Sequence, residues 1–264
     1  LTLTSLRDSS DYTSKQQSIG ANASVCIPPF CGGASSGSAS FSQQKMNSDY
    51  ASVVEQTAIK AGDGGFQINV GGNTGLVGAI IASSDKAVAD GKNSLSTGTF
   101  TSVDVKNKAE YNASSIGLSG GVGGTLGRDA DGKITAGAPG AKPASVDNLS
   151  ANAPVALVAK GDASSTTRSG ISGATITIRD SDKQQALTGQ TSEQATAAVN
   201  TNVSSDRDSS NALKPIFDAK EIQAGFDITG KFVQNVGMYL ESRGKDVDEK
   251  KADANKALAA SKDP

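Results

Sequence analysis

The sequence contains no histidine and no tryptophan, only two cysteines, and 4% aromatic residues in a chain of 264. Each absence removes a class of chemistry. Without histidine there is no Ser-His-Asp triad, no Cys-His dyad and no His-ligated zinc or haem. Two thiols cannot complete a four-thiolate site. The 25 basic and 27 acidic residues are spread along the chain, for a net charge of -2, so no basic stripe is available to read phosphates and nucleic acid is excluded as an expected partner. No run of about 18 apolar residues occurs, so no stretch has the pattern of a transmembrane helix. The start, Leu1-Thr2-Leu3-Thr4, has neither an initiator Met nor a signal-peptide pattern, and a piece of a longer polypeptide is expected.

Large apolar side chains are scarce as well. Leu, Ile, Val and Phe make up 51 of 264 residues, near the level at which a chain struggles to build a thick interior. The low net charge argues against a self-repelling disordered polymer. What the chain does have is 30 Gly with abundant Ser, Ala and Thr, a composition suited to thin repeated layers. The fold class expected is mainly β, a parallel β-helix or β-solenoid with a Gly-rich linker and a C-terminal helical tail.

Composition shifts mark four segments, 1–118, 119–150, 151–190 and 191–264. In the first, short alternations such as Phe66-Gln67-Ile68-Asn69-Val70 predict strands with one buried face, separated by Gly and Asp turns. Ile59-Lys60-Ala61-Gly62-Asp63 opens a unit that returns at Ile80-Ile81-Ala82, a period of 21, and Val103 and Val105 follow a possible turn at Gly91-Lys92-Asn93. A period near 20 fits stacked coils; an antiparallel sandwich is the alternative. Residues 119–150, with Gly120-Gly121, Gly123-Gly124, Pro139-Gly140 and Pro143, read as a Gly/Pro-rich linker or long loop. Strand pattern resumes at Val155–Val158 and Ile171–Ile178. Thr191-Ser192-Glu193-Gln194 is a capping-box pattern that opens a helix to about Val203. From Asp218, the residues Ile222, Phe226, Val233, Val236 and Leu240 form an amphipathic stripe to about Arg243, with a charged continuation to Lys262.

Candidate chemistry is sparse. Cys26-Ile27-Pro28-Pro29-Phe30-Cys31 would close a small disulfide loop in an oxidising compartment, either as a local staple on a protruding hairpin or as a tip that meets another surface. Asp129 with Asp131, and Asp180 with Asp182, are the carboxylate pairs available for acid–base work. Turn formation and strand-end capping explain them more simply. Gly62-Asp63-Gly64-Gly65 and Gly120-Gly121-Val122-Gly123-Gly124 lack the Lys-Ser/Thr pair of a phosphate loop and read as turns and linker. Gly230, Gly237 and Gly244 recur every seven residues on the amphipathic helix, where each costs up to about 1 kcal/mol relative to alanine. Close helix packing or association with a bilayer would account for them. No catalytic residue, cofactor or metal site is assigned.

Several stretches together carry a resemblance. Leu3-Thr4-Ser5-Leu6-Arg7-Asp8, Val25-Cys26-Ile27-Pro28-Pro29-Phe30-Cys31 and Ile59-Lys60-Ala61-Gly62-Asp63-Gly64-Gly65-Phe66 resemble the haemagglutinin-repeat region of filamentous-haemagglutinin-type exoproteins, in particular the CdiA-type effectors of contact-dependent growth inhibition. Residues 167–178, Leu187-Thr188-Gly189 and the helix from Phe217 through Arg243 resemble the segment that leads to the pretoxin and toxin domains of such proteins. The resemblance implies secretion to the cell surface of a Gram-negative bacterium through an outer-membrane transporter of the two-partner type, with periplasmic retention before contact. It further implies engagement of the target cell's outer membrane or its receptor, and help in delivering a downstream toxin domain of the same chain. The amino-terminal secretion domain, the Val-Glu-Asn-Asn boundary motif and a toxin module are not present in this sequence. The function expected is therefore non-catalytic delivery or adhesion, with an adhesin stalk or a polysaccharide-processing β-helix as alternatives.

Overall fold

The computed structural model describes residues 1–24, 34–125, 145–151 and 154–260. It is mainly β, with separate parallel and antiparallel sheets and a C-terminal helix. The strands are β1 (Thr2–Thr4), β2 (Asp8–Ser24), β3 (Ala34–Ser52), β4 (Ala58–Lys60), β5 (Gln67–Val77), β6 (Ile80–Ala82), β7 (Ser94–Val103), β8 (Val105–Thr125), β9 (Ser145–Ala151), β10 (Val155–Thr167), β11 (Gly170–Ile171) and β12 (Thr175–Ile178). The helices are α1 (Asp85–Ala89), α2 (Ser181–Thr188), α3 (Ser192–Ala197) and α4 (Ala219–Ala260). Two compact units result, each assembled from three stretches of chain: residues 1–12, 47–111 and 160–217 in the first, 13–46, 112–159 and 218–264 in the second. Neither coincides with one of the four consecutive segments expected from composition.

The first unit is organised by parallel pairing. One sheet runs β1-β5-β7-β12 and another runs β11-β6-β4, with parallel register throughout. The chain passes through β4 and then β5, through β6 and then β7, and later through β11 and then β12, visiting the two sheets in the same order each time. Equivalent aliphatic residues therefore stack. Ile59 and Ile171 both pair with Ile81, while Ile68 and Ile176 both pair with Leu95. These columns join Phe66, Leu76 and Phe100 in a core that is thin but dry, with Ile81, Ile171, Leu76 and Leu95 almost fully buried. A few aliphatics per layer suffice at the centre of the two sheets, where Ile81 and Leu95 are each flanked on both sides by an isoleucine.

The period differs from the 21 residues read in the sequence. Ile59 lies opposite Ile81, 22 residues on, and Gln67 lies opposite Ser94, 27 on. Helix α1 accounts for the excess. Ser84 caps it by accepting from the Ala87 amide, and the turn after it reaches Gly91 at φ 65°. The sequence pattern showed only turns there, because five helical residues are too few for an apolar period to register.

The stack is also interrupted. After β7 the chain leaves in β8, and the next layer of the core, Ile171 with Ile178, comes from β11 and β12. Residues 1–118, expected as stacked coils, hold the long strands β2 and β3 and most of β8 beside the parallel-paired strands, and the parallel pairing extends to β11 and β12. Helices α2 and α3 pack on β7 and β12, where Gln184 accepts from the Phe100 amide at 2.7 Å and donates to the Phe100 carbonyl at 3.0 Å. Helix α3 carries the expected capping box at Thr191 and Gln194 but ends at Ala197, short of Val203. Gly189 ends α2 in the left-handed conformation at φ 73°, a cap that glycine adopts without strain.

The second unit holds parts of β2, β3, β8 and β10, all of β9, and α4. The order of the antiparallel sheet is β10-β8-β3-β2, and β9 pairs antiparallel with β8. The linker expected at 119–150 is strand at both ends. β8 runs on to Thr125, β9 occupies Ser145–Ala151, and residues 126–144 lie outside the described residues. Glycine-rich sequence reads as loop in isolation, but Gly120, Gly121, Val122 and Gly123 find partners along β9. The helix expected from Asp218 is a single element of 42 residues. Asp218 opens it by accepting from the Lys220 and Glu221 amides.

Candidate interaction site

The residues singled out as disulfide partners, Cys26 and Cys31, lie outside the described residues, as do Asp129 and Asp131. Asp180 caps α2, where its carboxylate accepts from the Lys183 amide at 3.1 Å and from the Lys183 ammonium at 2.5 Å. The hydrogen bond to the Lys183 side chain holds the Asp180 carboxyl below its ordinary pKa. Asp182 is exposed in the first turn of the same helix. The pair thus starts a helix, with Asp180 committed to a cation and an amide.

Gly230, Gly237 and Gly244 fall on α4 with open space beside them: a Cβ at any of the three would meet nothing within 4 Å. The spacing is real, but the described structure contains no close approach that demands glycine. Gly230 and Gly237 instead line a cavity of about 600 Å³ in the second unit. Its strand side is formed by Phe41, Leu118, Val155 and Leu157, and its helix side by Phe226, Val233, Val236 and Leu240. Steps of three and four place Phe226, Gly230, Val233, Gly237 and Leu240 on one helical face. Phe226 is buried at 7% exposure, Val233 is 37% exposed and Leu240 63%, so the stripe becomes progressively uncovered toward the end of the helix. On other faces of α4, Ile228, Phe232 and Tyr239 are exposed. So much uncovered apolar area is more than isolated surface hydrophobes require.

The first unit carries a cavity of different character, about 550 Å³, lined by Arg168, Arg207, Asp208 and the amides of Asn200, Asn202 and Asn211. Arg207 pairs with Asp85 at 3.0 Å. Asp208 accepts from the Ser210 amide and hydroxyl, and the amide bond in particular keeps its carboxyl below the usual value. Asn211 adopts φ 51°, a left-handed conformation that asparagine tolerates better than most residues. The sequence pointed to neither cavity. The only available signal for the apolar one was the coincidence of the glycine heptad with the amphipathic stripe.

No helix among the described residues is long and apolar enough to cross a membrane, which leaves strands aside. Among those residues no group of three or more Cys, Asp or Glu side chains is placed to hold a metal ion.

No protein-family model matches the chain, and no solved structure matches it. Curated proteins do. The chain is 34% identical over 244 residues to "tRNA nuclease CdiA" of Escherichia coli strain NC101, which covers 91% of this chain and 6% of that protein. It is 36% identical over 226 residues to "Deoxyribonuclease CdiA" of Yersinia pseudotuberculosis serotype O:3 strain YPIII, covering 84% of this chain and 18% of that protein. It is 34% identical over 218 residues to "16S rRNA endonuclease CdiA" of Enterobacter cloacae, covering 82% of this chain and 6% of that protein. The chain is therefore homologous, over most of its length, to one segment of the CdiA contact-dependent growth inhibition proteins.

Proposed function

We propose that the chain is a non-catalytic segment of a secreted contact-dependent inhibition effector, with a β-solenoid core belonging to the haemagglutinin-repeat type, and that it engages the target cell's outer membrane and helps a C-terminal toxin cross. One observation carries this reading. The same segment recurs at 34 to 36% identity in proteins named for cutting tRNA, DNA and 16S rRNA. A stretch common to proteins with such different named substrates serves a step that all of them need. Delivery is that step.

The solenoid part rests on the repeated passage through two parallel sheets and on the stacked columns at Ile59, Ile81 and Ile171. The non-catalytic part is supported by the engagement of Asp180 as a helix cap. Export would use an outer-membrane transporter of the two-partner type, with the segment held in the periplasm of a Gram-negative producer before contact. An adhesive stalk is the other reading, since a parallel stack is also a good spacer.

The test is an in-frame deletion of residues 1–264 from the full-length parent, scoring target-cell attachment and target-cell killing separately. Attachment retained with killing lost is the expected result. Loss of attachment would favour the stalk, and unchanged killing would overturn delivery.

A further inference from the structure

The apolar cavity under α4 is the feature that the delivery reading leaves unused. We propose that it binds the hydrocarbon chain of a single-chain anionic amphiphile, with the acid group of that molecule at the Lys231 ammonium.

Four observations converge on this ligand. The space, about 600 Å³, lies in the range of small-molecule sites and carries large apolar side chains on both sides, Phe41, Leu118 and Leu157 facing Phe226, Val233 and Leu240, with polar residues such as Ser40, Gln44 and Gln234 between them. Room for a chain exists because Gly230 and Gly237 carry no side chain and nothing else fills their place within 4 Å. That vacancy has a standing cost, since glycine is among the weakest helix formers. The walls remain partly wet without an occupant, as the 37% exposure of Val233 and 40% of Val236 show, so covering them would release apolar area from water.

Charge selects the head group. Lys231 lines the same cavity and has no carboxylate within ion-pair distance among the described residues. Asp227, one turn earlier, also lines the cavity, and its carboxylate accepts from Gln223 at 2.9 Å. Of the strands that line it, β8 and β3 lie inside the sheet and spend their backbone groups on neighbouring strands, and β10 alone stands at the end of the strand order where a peptide strand could add. A hydrocarbon chain needs no such partners.

This proposal stands apart from delivery. It is measured on the isolated 264-residue chain without target cells, so its failure and the failure of the deletion assay are separate results. The probe is cis-parinaric acid, a fluorescent fatty acid, titrated below its aggregation threshold and displaced by palmitate or by palmitate methyl ester. Expected is saturable binding of one probe per chain, with the ester competing about tenfold more weakly than the acid, the loss that follows from removing one charge-assisted contact. Gly237→Leu should fill the cavity and lower affinity about tenfold or more while circular dichroism shows no loss of helix, because leucine is a better helix former than glycine. Lys231→Gln should abolish the preference for acid over ester and leave the ester's affinity unchanged. Absence of saturable binding, or binding unaltered in Gly237→Leu, would overturn the site. Equal competition by acid and ester would overturn the role of Lys231. A concentration-dependent dimer that takes up no probe would reassign the cavity to a second copy of the chain.

Discussion

Asn93 shows at the scale of one residue how a chain poor in large side chains holds a stack together. Its side chain is buried at 3% exposure, accepts from the Phe66 amide at 3.2 Å, and donates to Ser83 at 2.7 Å and to the Gly173 carbonyl at 2.9 Å. One amide thus ties the segments before β5, after β6 and before β12. The sequence marked this position only as part of a turn, Gly91-Lys92-Asn93, since a local pattern says nothing about partners 80 residues away. Asn93→Leu keeps the branching of the side chain but leaves the Phe66 amide and the Gly173 carbonyl without a partner and adds bulk in a buried place, and a loss of about 2–4 kcal/mol is expected in urea unfolding. A loss under about 0.5 kcal/mol would mean that neither group depends on this side chain. Thr74 and Thr97 make a comparable buried hydroxyl pair at 2.8 Å, again across successive strands.

At the scale of the element, α4 is the clearest case of a sequence signal that was visible and whose reason was not. The stripe from Ile222 to Leu240 was legible because it is local, set by helical period, whereas Asp218 marked only the start of the pattern and its hold on the Lys220 and Glu221 amides came from the structure. The glycine heptad was legible too, yet close packing and open space leave the same letters in the sequence. The open space beside Gly230, Gly237 and Gly244 predicts that alanine at each raises stability by up to about 1 kcal/mol, read as greater helicity and a higher thermal midpoint. Destabilisation by any of the three would reveal a close neighbour on that face. The long strands were less legible. β2 carries polar residues on both faces, with Lys15 and Gln16 among them, so no alternation marks its length. β10 alternates cleanly from Val155 onward and was found at the expected place.

For the whole molecule, the decisive fact is that the core of the first unit is discontinuous in sequence. Residues 1–118 contain Leu76, Ile81, Leu95 and Phe100, but Ile171, Ile178 and Ala195 of the same cluster lie far downstream. A fragment ending at Leu118 would leave β6 and β7 without their β11 and β12 neighbours and without the cover of α2 and α3. Such a fragment is expected to show no cooperative thermal transition, whereas the 264-residue chain should show one. A sharp transition in the fragment, seen by circular dichroism, would mean that two layers suffice. The reason to expect otherwise is that terminal layers of a stack need capping, and α2 supplies it by satisfying the Phe100 backbone through Gln184.

The sequence alone determined the β-rich composition, the absence of histidine chemistry, the capping of α3 and the amphipathic face of α4, all properties of residues close to one another in the chain. It also carried enough ordered motifs to point to the family. Tertiary structure decided which strands stack, why the offset is 22 residues in one sheet and 27, falling to 26 past a register shift, in the other, and which glycines open onto a cavity. The division follows from range. Periodicity and caps act over a few residues, while register between Ile81 and Ile171 depends on closing a long intervening loop, a cost recovered only when the whole layer is in place.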